Sequence, residues 1–172
     1  WTYNTGGDVD DVSISADGEY IVAGSDSNKV YVFNKDSSTP LWNYDLGSDV
    51  LTTSISANGE YIVVCCSDGY RVYLFDKDSS TPLWTYVTGA MSYSVDISAD
   101  GEYVVVGSRS DKVYLFDKDS SYSATPIWSY EAGDFDQVSI SADGKYIAAG
   151  SSDKVYTFKN NLANRLSLIT YG

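Results

Sequence analysis

Four near-copies of one stretch constrain the fold of this chain more than any other feature of its sequence. They are SISADGEYIVAGS from Ser13, SISANGEYIVVCCS from Ser54, DISADGEYVVVGS from Asp96 and SISADGKYIAAGS from Ser139. Their turn glycines, Gly18, Gly59, Gly101 and Gly144, recur at steps of 41, 42 and 43 residues. A period of this length is typical of repeats that each form one four-stranded sheet. The sequence therefore predicts a single domain, 1-172, with repeats at about 1-41, 42-83, 84-127 and 128-172.

Each repeat is predicted to contain four strands, A to D. In the first repeat they span Val9 to Ser15, Tyr20 to Ser25, Lys29 to Phe33 and Leu41 to Tyr44. An Asp-Gly or Asn-Gly pair joins A to B as a two-residue hairpin, because these residues accept the positive φ angles of such turns. Strand C, VYVF in the first repeat, is apolar or aromatic on both faces, which favours sheets that are covered on both sides. The sequence thus predicts an all-β propeller of four-stranded antiparallel blades.

The two ends of the chain leave the ring closure open. Trp1 to Asn4 has the pattern of a D strand without its own blade, and Ile169 to Gly172 resembles the WTY segment of Trp84 to Tyr86. Propellers avoid free sheet edges when one terminus completes the blade of the other. Two D strands therefore compete for one place. The predictions are a closed four-bladed ring, part of a seven- or eight-bladed propeller, or self-association through the terminal strands.

Composition narrows the classes of function. With 11 Lys+Arg against 24 Asp+Glu, the net charge of -13 disfavours nucleic acid and anionic membrane surfaces and favours cationic partners. No apolar run approaches the ~20 residues that span a bilayer, so no membrane insertion is expected. The chain has no histidine, which excludes Ser-His-Asp and Cys-His sets and predicts that the protein is not an enzyme. The adjacent Cys65 and Cys66 are interpreted as reduced thiols at the end of a strand, with a strained vicinal disulfide as the alternative.

Two DKDSS segments space carboxylates and hydroxyls as calcium loops do. Their candidate ligands are Asp76, Asp78 and Ser80 in one segment and Asp117 and Asp119 in the other. An EF-hand-like site would also need a glycine at the sixth position and a glutamate at the twelfth, where the chain has Thr81 and Val87. Aspartate is also favoured in turns for backbone reasons alone. Calcium is therefore a weak candidate, and no metal or other cofactor is predicted.

The segment KVYLFDKDSSTPLW resembles the repeat of the pyrroloquinoline-quinone-like (PQQ-like) propellers, and the chain as a whole is similar to the WD-repeat-like and PQQ-like families. In the PQQ-like repeat an Asp after strand C precedes a docking Trp by eight residues, as Asp76 precedes Trp84 here. The Gly-His and Trp-Asp dipeptides of true WD repeats are missing. The resemblance implies a propeller of the kind common in bacterial and archaeal surface proteins, which favours an extracellular or cell-surface location. A bound quinone would need a cationic group and a metal near the axis, and strand A supplies neither.

The D-to-A and B-to-C connections differ between repeats, whereas the A-to-B and C-to-D turns are mostly alike. In a propeller the two variable sets lie on the same face, where loops on a rigid scaffold commonly bind partners. Neutral drift in solvated loops is the alternative. The candidate binding residues on this face are Asp8, Asp10, Asp11, Asp49, Tyr70, Arg71, Met91, Tyr93, Arg109, Phe135 and Asp136.

Two classes of function follow from these patterns. The first is a non-catalytic propeller scaffold for protein-protein or surface-structural interaction through the acidic loop face, where the net charge of the chain favours a cationic protein partner. The second is a PQQ-like enzyme, or a ligand- or sugar-binding propeller, with its site at the central axis. A bound chromophore or metal would distinguish the second class from the first.

Overall fold

The computed structural model describes residues 1–120, 123–161 and 167–168 of the chain. These residues form four antiparallel sheets, each with four strands in sequence order, which we call the first to fourth blades. The first blade contains β1 (Val9–Ile14), β2 (Tyr20–Ser25), β3 (Lys29–Asn34) and β4 (Trp42–Asp45). The second contains β5 (Val50–Ile55), β6 (Tyr61–Cys66), β7 (Arg71–Asp76) and β8 (Pro82–Val87). The third contains β9 (Ser94–Ile97), β10 (Tyr103–Ser108), β11 (Lys112–Asp117) and β12 (Trp128–Glu131). The fourth contains β13 (Gln137–Ile140), β14 (Tyr146–Ser151), β15 (Lys154–Lys159) and β16 (Ser167–Leu168).

The predicted all-β architecture of four-stranded antiparallel blades is confirmed. In the first blade the predicted strand B has the observed bounds, and the other three strands differ from the prediction by one residue at one or both ends. The only helical element of the described residues is a 3-10 turn, Asp68–Tyr70. No helix in this part of the chain has the length and apolar character needed to cross a membrane.

The A-to-B hairpins have the predicted turn chemistry. Gly18, Gly59, Gly101 and Gly144 have φ angles of 74°, 74°, 79° and 68°. In the first hairpin the Asp17 carboxylate accepts hydrogen bonds from the Ser15 hydroxyl at 2.6 Å and from the Glu19 backbone N–H at 3.0 Å. The same pair of bonds recurs in each of the other three hairpins. Asp17, Asp100 and Asp143, and Asn58 in the second hairpin, therefore act as turn residues, as expected.

Neighbouring blades pack face to face, and we call the side toward the following blade the forward face and the other side the rear face. The forward face of the first blade, with Val22, Val30 and Val32, packs against Ile55 and Phe75 on the rear face of the second. Equivalent apolar layers lie between the second and third blades and between the third and fourth. Strands β1, β5, β9 and β13 lie side by side as the innermost strand of each blade. The A strand of each repeat therefore lies at the inner side of the four-bladed array.

Aromatic side chains of each D strand fill the outer part of the gap to the next blade. The rings of Trp42 and Phe75 lie 5.4 Å apart, and those of Tyr44 and Phe75 lie 5.3 Å apart. Trp84 and Tyr86 contact Phe116 in the same way, as do Trp128 and Tyr130 with Phe158. These aromatic side chains, which recur in each repeat, therefore pack between neighbouring blades.

The N-terminal segment takes the place of a D strand that would precede the first blade. Trp1 and Tyr3 pack on Phe33 with ring centroids 5.2 Å away in each case. The Trp1 indole N–H donates to the Lys35 carbonyl oxygen, as the indoles of Trp42 and Trp84 donate to those of Lys77 and Lys118. Trp1 to Asn4 thus has the packing of a D strand, as predicted, although no blade accompanies it.

The four sheets do not close into a ring. On the rear face of the first blade Val12 and Ile14 are 63% and 60% exposed, whereas the equivalent Val138 and Ile140 of the fourth blade are buried. On the forward face of the fourth blade Val155 is 79% exposed. A closed four-bladed ring would have covered both faces, so this predicted form is wrong for the described residues. The predicted C-terminal strand Ile169 to Gly172 lies outside the described residues.

Candidate interaction surface

The D-to-A and B-to-C connections of the first three blades are joined to one another, as the propeller prediction requires. Backbone hydrogen bonds run from Asp26 N to Asp8 O at 3.1 Å, from Ser67 N to Asp49 O at 2.9 Å and from Arg109 N to Met91 O at 3.0 Å. A second set runs from Leu46, Thr88 and Ala132 back to the carbonyls of Asn28, Tyr70 and Asp111. We call the surface that these connections form the loop face. Backbone hydrogen bonds between these loops hold the loop face in a defined conformation.

Each B-to-C connection has one non-glycine residue with a left-handed backbone, which directly precedes strand C in the first three blades and lies two residues before it in the shorter fourth connection. Asn28, Tyr70, Asp111 and Ser152 have φ angles of 69°, 51°, 65° and 53°. Asparagine and aspartate tolerate this region better than other non-glycine residues, and tyrosine does so poorly. At Tyr70 the strained backbone presents a 40% exposed aromatic ring beside the exposed Arg71.

Four carboxylates gather on the loop face where the first and second blades meet. They are the exposed Asp8, Asp10, Asp26 and Asp49. Partial loss of surrounding water and, after it, the negative charges of Asp26, Asp49 and Asp8 raise the pKa of Asp10. None of the four forms an ion pair with a lysine or arginine of the described residues. The result is a patch of uncompensated negative charge, which we call the acidic patch. Sequence analysis identified three of its members and missed Asp26, although the B-to-C connection SDSNK was among the variable loops.

A second group of side chains on the loop face contains an arginine that pairs with a neighbouring carboxylate. The Arg109 guanidinium pairs with the Asp136 carboxylate at 3.0 Å and lies over the Tyr93 ring, 4.5 Å from its centroid. The Tyr93 hydroxyl donates to the Met91 sulfur at 2.8 Å. Met91 and Tyr93 come from the connection before the third blade, Arg109 from its B-to-C connection and Asp136 from the connection to the fourth blade, and we call these four residues the arginine cluster. All were sequence candidates, and the structure brings them together.

Two candidates do not belong to this surface. Phe135 is fully buried and packs edge-on against Tyr156, with centroids 5.5 Å apart. The Asp11 carboxylate accepts hydrogen bonds from the backbone N–H of Thr53 at 2.6 Å and from its hydroxyl at 3.3 Å. Phe135 is therefore a core residue, and Asp11 joins two inner strands, so neither is available as predicted.

A register comparison would have found the role of Phe135. Counted back from the paired strand A residues, Phe135 falls in one column with Val9, Val50 and Ser92. Val50 and Ser92 are both buried. This column starts strand A in the first two blades and precedes it by two positions in the third and fourth, and Phe135 in this column packs in the gap between the third and fourth blades.

The calcium candidates form turns. Asp76 Oδ1 accepts the Asp78 backbone N–H at 2.8 Å, and the Asp78 carboxylate pairs with Lys77 at 2.7 Å. Asp117 and Asp119 repeat this arrangement with Lys118, while Ser80 is exposed. Within the described ranges no three acidic, cysteine or histidine side chains converge on a point that suits a metal ion. The carboxylate oxygens of these four aspartates accept backbone hydrogen bonds or pair with lysines.

The inner strands form a hydrogen-bonded wall. Asp96 in β9 accepts from the Ser54 hydroxyl of the second blade at 3.4 Å and from the Ser139 hydroxyl and Ile140 N–H of the fourth, both at 2.9 Å. Strands β1, β5, β9 and β13 contain no lysine or arginine. The residues of this wall therefore do not fit the anionic quinone that gives the PQQ-like families their name, because nothing there offsets its charge.

Residues 1–134 match a PQQ-like family model that is described as outer membrane protein assembly factor BamB. A search of curated proteins finds no match to the chain. The matched range includes the first three blades, the docking tryptophans Trp1, Trp42, Trp84 and Trp128, and most of the loop face. Match and architecture agree on a propeller scaffold, and the chain belongs to the PQQ-like, BamB-like family of propeller repeats.

Proposed function

We propose that this protein is a non-catalytic propeller scaffold whose loop face binds a positively charged surface of a protein partner. The observation that carries the proposal is the acidic patch, where four exposed carboxylates have no cationic partner among the described residues. Like charges held close together raise the free energy of the unbound surface, and a bound cation relieves this repulsion. The patch thus favours a basic partner.

A protein partner fits the rest of the loop face better than a free ion does. The arginine cluster adds an exposed Tyr93, a methionine and a guanidinium, which are residue types enriched in protein interfaces. The matched family model is named for an assembly factor, which supports a role in binding other proteins. The absence of histidine and the cation-free inner wall support a non-catalytic role.

The test compares two triple variants that change the net charge equally. Asp8→Asn, Asp10→Asn and Asp49→Asn neutralise the acidic patch, whereas Asp36→Asn, Asp78→Asn and Asp119→Asn neutralise exposed carboxylates of the C-to-D turns on the opposite face. The probe is a fluorescently labelled oligolysine peptide, and binding is measured by anisotropy at low and at physiological salt. We expect the first variant to bind about tenfold more weakly and with a smaller salt dependence, and the second to bind nearly as the wild type does. Equal losses in the two variants would show that only net charge matters and would contradict the proposal.

A further inference from the structure

We propose that two copies of this chain join head to tail into one eight-bladed ring. In this ring the forward face of the fourth blade of each copy packs on the rear face of the first blade of the other. The contact repeats the three that already exist between neighbouring blades within one chain. The occupant of each open face is thus a second copy of the chain, because each copy carries both halves of the contact.

The first observation is a strand glycine without a neighbour. Gly24 and Gly107 lie at equivalent positions of the forward face, and a Cβ added to Gly107 would lie 2.9 Å from Val138 Cγ1 of the next blade. A Cβ on Gly24 would clash with Val50 of the next blade in the same way. The first and third blades therefore need a glycine there so that the next blade can approach, whereas the second blade has Cys65 at this position, buried against the third blade. Gly150 holds this position in the fourth blade, and its added Cβ would meet only Gln137 of the adjacent strand.

The second observation is a tyrosine and a turn glycine that each lack their usual partner. Tyr20, Tyr61 and Tyr103 each lie against the hairpin glycine of the following blade, with Tyr20 Cδ2 2.7 Å from the Cβ position of Gly59. The fourth tyrosine, Tyr146, is 49% exposed. The first hairpin glycine, Gly18, has nothing within 4 Å of its Cβ position. Head-to-tail packing brings Tyr146 of one copy onto Gly18 of the other.

The third observation is the apolar character of both open faces. The rear face of the first blade presents Val12 and Ile14, each at least 60% exposed, and the forward face of the fourth presents Val155 at 79%. A depression of about 420 Å³ lies on the fourth blade, lined by Tyr146, Ala148 and Thr157 together with Ser139, Ser141 and the buried Ile140 and Ile147. The equivalent residues of the inner blades lie in buried clusters between sheets. Exposed apolar surfaces of this kind mark interaction sites.

The fourth observation is the place of the N-terminal segment, Trp1 to Asn4. In the first blade Tyr44 pairs with Val30 and Trp42 with Val32, and Val155 and Thr157 occupy these two C-strand positions in the fourth blade. Trp1 and Tyr3 already lie on the rear face of the first blade where a preceding D strand belongs. In the ring they lie beside Thr157 and Val155 of the partner subunit. Strand β16 pairs with β15 at Phe158 and Lys159, outside these two positions.

The number of copies follows from the size of propellers. Rings of four to eight blades are typical, so two four-bladed arcs make a ring of known size, whereas three would exceed it. Head-to-tail contacts end in a closed ring when the rotation closes, and a closed ring leaves no open face. The protein is therefore expected at twice the 18.8 kDa mass of the chain.

The test measures mass by light scattering after size exclusion, over a range of protein concentrations. Gly150→Val fits the extended strand and the open space of a single chain, yet it blocks the approach of another blade, and Val12→Lys places a charge on the opposite open face. The matched control is Leu41→Lys, because Leu41 is 52% exposed and its equivalents Leu83 and Ile127 stay 40% and 50% exposed in blades that are covered on both faces. Circular dichroism checks that each variant keeps its β structure.

We expect the wild type and Leu41→Lys to elute at twice the chain mass, and Gly150→Val and Val12→Lys to elute as monomers. A wild type that stays at 18.8 kDa at every concentration would overturn the proposal. A dimer that is lost in Val12→Lys but survives in Gly150→Val would also overturn it, since that result means that two first blades pack on each other. Higher oligomers without a dimer would show that the arc does not close in two copies.

Discussion

The indole N–H of Trp1 donates a 2.7 Å hydrogen bond to the carbonyl oxygen of Lys35, and this bond joins the start of the chain to the outer end of the first blade. The equivalent bonds from Trp42 to Lys77 and from Trp84 to Lys118 measure 2.6 and 3.1 Å. Trp84 is fully buried, whereas Trp1 is 58% exposed. The same tryptophan-to-carbonyl contact thus occurs once with a buried indole and once with an exposed indole, so the effect of burial on its stability can be measured directly.

We expect Trp84→Ala to lower the free energy of unfolding by about 3–5 kcal/mol, because it removes a buried indole and leaves a cavity. Trp1→Ala should cost less than about 2 kcal/mol, since half of its surface already contacts water. Urea unfolding at a concentration where the chain is monomeric measures both values. Equal losses of unfolding free energy in the two variants would contradict the idea that burial by the surrounding blades strengthens the Trp84 contact.

The hairpin glycines provide a second matched pair. Gly18→Ala and Gly101→Ala both place a side chain at a positive φ, and only at Gly101 does the new Cβ collide with the ring of Tyr61. We expect Gly101→Ala to destabilise the protein by about 1–3 kcal/mol more than Gly18→Ala, because overpacking adds to the backbone strain. Thermal unfolding of the two variants side by side gives the difference, and a difference of zero would rule out a tight tyrosine-glycine contact.

The fourth hairpin gives a prediction for pH dependence. Hydrogen bonds from the Lys145 ammonium, the Ser141 hydroxyl and the Lys145 backbone N–H lower the pKa of Asp143 from 3.8 to about 2. A lowered pKa in the folded state stabilises the hairpin at pH values above about 4, and this stabilisation disappears as the pH falls toward 2. Lys145→Ala should raise the pKa of Asp143 toward its ordinary value and leave Asp17 in the first hairpin unchanged. Carboxyl-carbon NMR titration measures both groups, and an unchanged Asp143 would contradict the assignment.

The vicinal cysteines are buried as free thiols. Burial, together with the nearby Cys66, raises the pKa of the Cys65 thiol well above its ordinary value, so little reactive thiolate forms. We expect the two thiols to react slowly with an aromatic disulfide reagent in the native protein at pH 8. In urea both thiols should react promptly and release two equivalents of the reagent's coloured thiolate per chain. A chain whose cysteines do not react in urea would instead contain the vicinal disulfide.

The fold could be predicted from the sequence because the same strand and turn pattern occurs once in each of the four repeats. The hairpin glycines and the VYLF strands predicted the blades, and the spacing from Asp76 to Trp84 carried the family resemblance. Phe135 was misplaced because a loop of variable sequence hides a column of buried residues that only strand register reveals. Asp11 was misplaced because a carboxylate that accepts a backbone N–H from the next blade looks, in sequence, like any acidic loop residue. The acidic patch depends on the approach of Asp26 to Asp10, which strand periodicity does not specify.

The order of the aromatic strands also bears on synthesis. Trp42 and Tyr44 cover Phe75 and Tyr73 of the blade that comes later in the chain, and Trp1 and Tyr3 do the same for Phe33 and Tyr31. A ribosome therefore releases the covering strand before the blade that needs it. Each new blade can settle on a surface that has already emerged, so the nascent chain can fold vectorially with one apolar face waiting at a time.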